Sequence, residues 1–124
     1  RAVLEGVSFG LKDNFALLRE AGLPMPERVR LSGGATRSTV GSQMLADVLG
    51  VALEVPAVGE AAALGAALLA GVGAGAWDSA ETATSAAVRV TKTTEPRDAT
   101  AYDEPYARFR QLYPALKGMW DPAA

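Results

Sequence analysis

The sequence feature that most constrains the fold is a short apolar segment that stops at two glycines. Residues 29–31 alternate like a β-strand, Gly33 and Gly34 follow, and a segment with helical spacing begins near Ser38. A strand that turns into a helix through glycines leaves backbone N–H groups free at the turn. Those donors and the positive end of the helix favour an anionic or hydrogen-bonding ligand. From this local pattern alone, a tight turn without a ligand is an equally good interpretation.

The segments around this turn alternate between helical and extended patterns. Helical spacing predicts helices over residues 1–21, 38–49, 60–72 and 79–87, and alternation predicts further strands over residues 51–55 and 88–93. Gly22 and Gly50 are predicted to end the first two helices. One face of the first helix is predicted to pack, and its residues recur three or four apart: Val3, Val7, Leu11, Phe15 and Leu18.

Two later helices have unusual compositions. The helix over residues 60–72 is nearly all alanine and leucine around Gly65, and a glycine in mid-helix indicates close packing or a nearby ligand. A tail helix over about residues 101–120 carries an aromatic stripe, which predicts either core packing or an interface. Pro114 is predicted to bend or end this helix near Tyr113.

Composition narrows the classes of function. A net charge of −2 leaves no basic surface large enough for nucleic acid, and no apolar run approaches the roughly 20 residues of a membrane span. The absence of cysteine and histidine removes disulfides and the commonest metal ligands, which is typical of a protein of the reducing cytoplasm. Because Arg1 already lies within a helical pattern, we expect the chain to be a fragment of a longer protein.

Four stretches together resemble one family. Residues 31–38 (LSGGATRS), 43–50 (QMLADVLG), 55–56 (VP) and 60–70 (EAAALGAALLA) are similar to the C-terminal domain of the FGGY carbohydrate kinases. Residues 1–7 (RAVLEGV) and 102–116 resemble the xylulokinases of that family. The resemblance covers essentially the whole chain and implies an α/β fold, namely the second domain of an actin/hexokinase-like (ribonuclease H-like) ATPase.

The resemblance also assigns site residues. It implies that Gly33 and Gly34 lie against the adenosine and phosphate portion of ATP, that Ala35 starts the turn into the helix, and that Ser38 lies near the ribose or adenine. Ser32 stands where many family members have a third glycine. The catalytic Asp, the sugar site and most Mg²⁺ ligands are expected upstream of Arg1, so we expect no catalytic or metal-binding residue within this chain.

The function implied by the resemblance is transfer of the γ-phosphoryl group of ATP to a sugar hydroxyl, with D-xylulose converted to xylulose 5-phosphate in the cytoplasm. ATP and Mg²⁺ are the expected cofactors, ATP or ADP and the sugar are the expected partners, and a homodimer is left open. Ribulose, gluconate or glycerol remain alternative substrates. A non-catalytic domain that serves assembly or regulation remains an alternative of another class.

Overall fold

Five α-helices and a three-stranded sheet make up the fold in the computed structural model, which describes residues 1–119. In chain order the elements are α1 (Ala2–Glu20), β1 (Arg28–Arg30), a 3₁₀ helix (Gly33–Arg37), α2 (Thr39–Leu49), β2 (Ala52–Pro56), α3 (Ala61–Gly73), α4 (Ala80–Ala87), β3 (Val90–Thr94), α5 (Asp103–Leu116) and a second 3₁₀ helix (Lys117–Met119). The predicted order is confirmed, and the bounds up to β3 shift by at most two residues.

Glycines end the first two helices as predicted. Gly22 follows α1 with a φ of 77°, and Gly50 follows α2 with a φ of 69°. Both lie in the left-handed region that glycine adopts at little cost. The Gly50 N–H donates to the Ala46 carbonyl over 2.8 Å, which closes the last turn of α2.

The sheet has the order β1-β2-β3. β1 and β2 are parallel, with Val29 opposite Leu53, and β3 runs antiparallel to β2. Parallel neighbours need a crossover, and α2 provides it between β1 and β2. Both parallel strands therefore end at the same edge of the sheet, immediately before the 3₁₀ helix and α3 respectively.

The core has two parts, which lie on two sides of α2. Leu45 and Ala46 of α2 pack on Leu53 of the sheet, and Ala46 and Leu53 are fully buried. On another side of α2, Met44 and Val48 pack against Phe9 of α1. Because α2 contributes residues to both parts, it joins the sheet to the outer helices. Each Å² of apolar surface buried in this way stabilises the fold by about 25 cal/mol.

The predicted packing face of α1 is wrong for this chain. Val3, Val7, Leu11 and Leu18 are exposed, and only Phe15 of the predicted set is partly buried. The buried residues of α1 are Ser8 and Phe9, on the other side of the helix, because that side meets α2 and α5.

The aromatic stripe of α5 supplies the partners of Phe9. Tyr102, Tyr106 and Phe109 surround the Phe9 ring with centroid separations of 6.2, 5.8 and 5.5 Å. The core interpretation of the stripe is confirmed for these three residues. Tyr113, by contrast, is 69% exposed.

The tail helix does not end near Tyr113, because α5 continues through Pro114 to Leu116. The alternative that Pro114 bends the helix stays a prediction. A proline inside a helix removes the hydrogen bond to the carbonyl four residues earlier. That carbonyl belongs to Arg110, which is exposed, so water can replace the lost donor. The tail helix was also predicted to reach about residue 120, which lies outside the described residues.

The close packing predicted for Gly65 is not found among the described residues, where a Cβ on Gly65 would meet no atom within 4 Å. Gly71 of the same helix has the close neighbour instead. The Trp77 ring occupies the space into which a Cβ of residue 71 would project.

Within residues 1–119, no helix combines the length and the apolar character that a bilayer span requires.

Candidate functional site

The glycine turn, residues 32–38, begins where β1 ends. Ser32 is extended, with a φ of −132° and a ψ of 171°, and Gly33 then adopts a φ of 75°. This left-handed step redirects the chain from the strand into the 3₁₀ helix, and it is a step that a residue with a Cβ makes only at a cost.

Two side-chain hydroxyl groups of the turn make hydrogen bonds to backbone groups. The Thr36 Oγ1 donates to the Gly33 carbonyl over 2.7 Å. Ser38 caps α2, because its Oγ accepts the Gly41 N–H at 3.0 Å. A serine hydroxyl can accept and donate at the same time, so the Ser38 proton is available to a ligand. Ser38 is therefore the N-cap of α2, whereas its predicted contact with ribose or adenine stays a prediction.

The predicted site residues all lie at the surface of the turn. Gly33, Gly34, Ala35 and Ser38 are all exposed. Among residues 1–119, no atom lies within 4 Å of a Cβ placed on Gly33 or Gly34. The first N–H groups of a helix have no intrahelical acceptor. The turn therefore presents backbone donors beside two glycines whose Cβ positions are unoccupied.

A small cavity of about 270 Å³ adjoins the turn between the sheet and α3. Arg30 and Ser32 contribute from the strand side, Pro56 from β2, and Leu64 and Gly65 from α3. The placement of Gly65 beside the turn agrees with its predicted alternative role, the lining of a site. Arg30 was not predicted as a site residue, although its alternation with Val29 already indicates that it faces away from the apolar core.

Asp47 of α2 and Arg37 of the turn have different surroundings. Asp47, on the far part of α2, accepts the Arg97 N–H at 2.7 Å and a Gln43 Nε2 hydrogen at 3.0 Å. It therefore fastens the segment after β3 to α2. Arg37 is exposed at the end of the 3₁₀ helix.

Comparison with known proteins identifies the family of this chain. Residues 1–74 match the C-terminal domain of the FGGY family of carbohydrate kinases. The chain belongs to the FGGY family. The predicted fold class is confirmed as well, because the mixed α/β arrangement superposes on solved FGGY sugar kinases of actin/hexokinase-like fold.

Individual FGGY relatives resemble the chain beyond the matched range. A protein named probable L-xylulose kinase from Pasteurella multocida is 37% identical over 121 residues, which are 96% of this chain and 24% of that protein. The xylulose kinase structure from Rhodospirillum rubrum is 35% identical, has a TM-score of 0.80, and is matched over 96% of this chain and 24% of its own. The structure of Plasmodium falciparum glycerol kinase with ADP is 28% identical, with a TM-score of 0.71, over 93% of this chain and 22% of its own.

The 124 residues thus span about a quarter of the length of these FGGY proteins. The matched range, residues 1–74, contains the glycine turn and the whole of α3. The surface built by β1, the turn and α3 therefore lies entirely within the part of the chain that the FGGY family shares.

Proposed function

We propose that this chain is the ATP-binding part of a cytoplasmic sugar kinase, which transfers the γ-phosphoryl group of ATP to a sugar hydroxyl. The observation that carries the proposal is the open glycine turn at the end of β1, inside the FGGY match. The related glycerol kinase whose structure contains ADP supports a nucleotide as the ligand.

In this proposal the nucleotide lies along the exposed surface of the turn. Gly33 and Gly34 have no side chain to separate a flat base or a phosphate from the backbone. The N–H groups that open the 3₁₀ helix and α2 donate to oxygens of the nucleotide, and the Ser38 hydroxyl donates to the ribose or adenine. Phosphoryl transfer depends on positioning and on electrostatic stabilisation, so these contacts act by holding ATP in place.

The chemical groups that complete the reaction are assigned to polypeptide outside this chain. Among residues 1–119, no three acidic, histidine or cysteine side chains converge on a point that could hold a metal ion. Mg²⁺, which neutralises charge on the phosphates when bound, would be held by ATP and by those outside residues. We assign the base that accepts the proton of the sugar hydroxyl to the same outside polypeptide.

D-Xylulose is the substrate we propose. The relatives that align over nearly the whole chain include proteins named L-xylulose kinase and xylulose kinase. Glycerol is the second candidate, because a glycerol kinase from Bordetella parapertussis is 36% identical over 126 residues and also matches the whole of this chain. A panel of D-xylulose, L-xylulose, ribulose, gluconate and glycerol, assayed by ADP release from the full-length protein, separates these substrates.

Gly34→Val tests the nucleotide site. Among residues 1–119, a Cβ on Gly34 would meet no atom within 4 Å and its φ is not positive, so we expect the fold to tolerate the added side chain. We expect the KM for ATP in the full-length protein to rise about tenfold or more, equivalent to about 1.4 kcal/mol of binding, while the KM for the sugar stays constant.

Gly118→Val is the matched control, because Gly118 also lies in a 3₁₀ helix and, among residues 1–119, a Cβ there would meet no atom within 4 Å. It should leave the KM for ATP unchanged. An unchanged KM for ATP in Gly34→Val would remove Gly34 from the site. If the full-length protein releases no ADP with any sugar and calorimetry detects no ATP binding, the non-catalytic alternative replaces the kinase.

A further inference from the structure

A groove of about 570 Å³ lies between α2 and β3. α2 contributes Thr39 and Val40 to its lining, β3 contributes Lys92 and Thr94, and Arg97 comes from the segment after β3. Among the described residues, neither a carboxylate nor any residue of the glycine turn lines this α2–β3 groove. Its volume is typical of a site for a small molecule.

The strand register directs two of these side chains toward α2. Thr94 lies opposite Leu53 in the antiparallel pair of β2 and β3, and side chains that lie opposite each other project from the same face of a sheet. Leu53 packs against Leu45 of α2, so Thr94 faces α2 as well. Because side chains alternate along a strand, Lys92 projects from that same face.

The Thr94 hydroxyl has no hydrogen-bond partner within the part of the chain that the structure describes, although the residue is only 9% exposed. The other buried hydroxyls are paired, since Ser8 donates to the Leu4 carbonyl and Ser42 to the Ala35 carbonyl. Every fully enclosed polar side-chain atom of a described residue also has a partner. The Thr94 oxygen must therefore reach open space, and the α2–β3 groove is the space that Thr94 lines. A polar group in this situation usually binds a ligand or an ordered water.

Two cations add positive charge to the groove. Lys92 and Arg97 are exposed, and within residues 1–119 neither side chain forms a salt bridge, whereas Lys12 and Arg28 do. Asp47 contacts this segment, but its Oδ1 accepts the backbone N–H of Arg97 at 2.7 Å. The groove is therefore locally positive in a chain whose net charge is −2.

We propose that the α2–β3 groove binds the phosphoryl group of a small molecule, at a site separate from the glycine turn. Lys92 and Arg97 supply charge-assisted donors to the phosphoryl oxygens, and the Thr94 hydroxyl donates a further hydrogen bond. Val40, which is 65% exposed, gives the groove an apolar wall for the organic part of a phosphate monoester. The proposal does not depend on nucleotide binding at the turn.

Calorimetry of the full-length protein with two probes tests the groove. Inorganic phosphate and phenyl phosphate share the phosphoryl group, and only the second has an organic part that can contact Val40. Both titrations are carried out with excess ADP, so that a phosphate site at the turn is occupied. We expect binding of phenyl phosphate with a Kd of about 1 mM or lower. Weaker binding of inorganic phosphate would assign the site to a monoester, and equal binding would assign it to free phosphate.

Substitutions locate the binding site. Lys92→Gln and Arg97→Gln each remove one charged donor, and we expect each to raise the Kd of phenyl phosphate about fivefold or more. Thr94→Val removes only the hydroxyl at nearly constant volume and should raise the Kd about threefold or more. Lys117→Gln is the control, because it removes the same charge from the exposed 3₁₀ helix after α5. It should leave the Kd unchanged.

Three results would overturn the proposal. The first is that neither probe binds the wild-type protein when ADP is present. The second is that Lys117→Gln weakens binding as much as Lys92→Gln does, because the effect would then be one of overall charge. The third is an unchanged Kd in Lys92→Gln, Arg97→Gln and Thr94→Val, which would place the bound probe elsewhere. Melting temperatures of all four variants show that each one is folded.

Discussion

At the scale of single residues, the glycine turn depends on which position carries the left-handed backbone. Gly33 has the positive φ, whereas Ser32 is extended at −132°. Any residue adopts an extended backbone, so the side chain of Ser32 adds no backbone strain to the turn.

Ser38 offers a test of the cap at the same scale. Ser38→Ala removes the acceptor of the Gly41 N–H, and we expect it to lower the free energy of unfolding by about 1 kcal/mol. Ser38→Asn keeps a good cap and should retain most of the stability. Thermal unfolding of the two full-length variants measures the difference, and equal melting temperatures for wild type and Ser38→Ala would contradict the role of the cap.

At the scale of elements, α3 and α4 are neighbouring helices, and Gly71 of α3 allows a close contact with the segment that connects them. Gly71 lets the Trp77 ring lie directly on the helix backbone. Ser79 then starts α4 with a reciprocal cap, in which its Oγ accepts the Thr82 N–H at 3.2 Å and the Thr82 Oγ1 accepts the Ser79 N–H at 3.0 Å. The connection between α3 and α4 is therefore held by the contact of Trp77 with α3 and by the Ser79 cap of α4.

Gly71→Ala and Gly73→Ala form a matched pair on α3. The first places a methyl group where the Trp77 ring lies, and we expect it to destabilise the protein by about 1–3 kcal/mol through overpacking. The second meets no atom within 4 Å and should be neutral or stabilise by up to about 1 kcal/mol. Melting temperatures that rank Gly71→Ala at or above Gly73→Ala would show that the ring does not rest on Gly71.

At the scale of the whole molecule, α1 and α5 lie near the two ends of the described chain, and their side chains contact each other. The Tyr106 hydroxyl donates to Asp13 Oδ1 over 2.5 Å. Lys12 lies 3.5 Å from Asp103, and Arg110 lies 3.7 Å from Asp13. Burial of the phenol, followed by its hydrogen bond to Asp13, raises the pKa of Tyr106 above the ordinary value of 10.0.

This raised pKa predicts how stability depends on pH. The pKa of Tyr106 is higher in the folded than in the unfolded state, so the folded state holds the phenol proton more tightly. The contribution of this proton to the free energy of unfolding is fully present below about pH 10 and decreases as the pH rises further. At pH 8 we expect Tyr106→Phe to be about 1 kcal/mol less stable than the wild type. The gap in melting temperature should shrink by about pH 11. A gap that stays constant over this range would contradict the raised pKa.

Local patterns were enough to predict the elements but not the sides on which they pack. Helical spacing and the glycines at positions 22, 33 and 50 located the helices, the strands and the turn. The same spacing identified the apolar side of α1, yet within this chain Phe9 packs and Val7 is exposed. Which side of a helix is buried depends on which elements surround it, and no local pattern contains that information.

The sequence by itself determined the order of elements, the position of the glycine turn and the family resemblance, because glycine conformations and hydrophobic periodicity act over a few residues. Only the tertiary structure decided that Arg30 and Gly65 border one cavity beside the turn and that α1 keeps its apolar side uncovered. These features arise from contacts between residues far apart in the chain, whose arrangement follows from the packing of whole elements on the sheet.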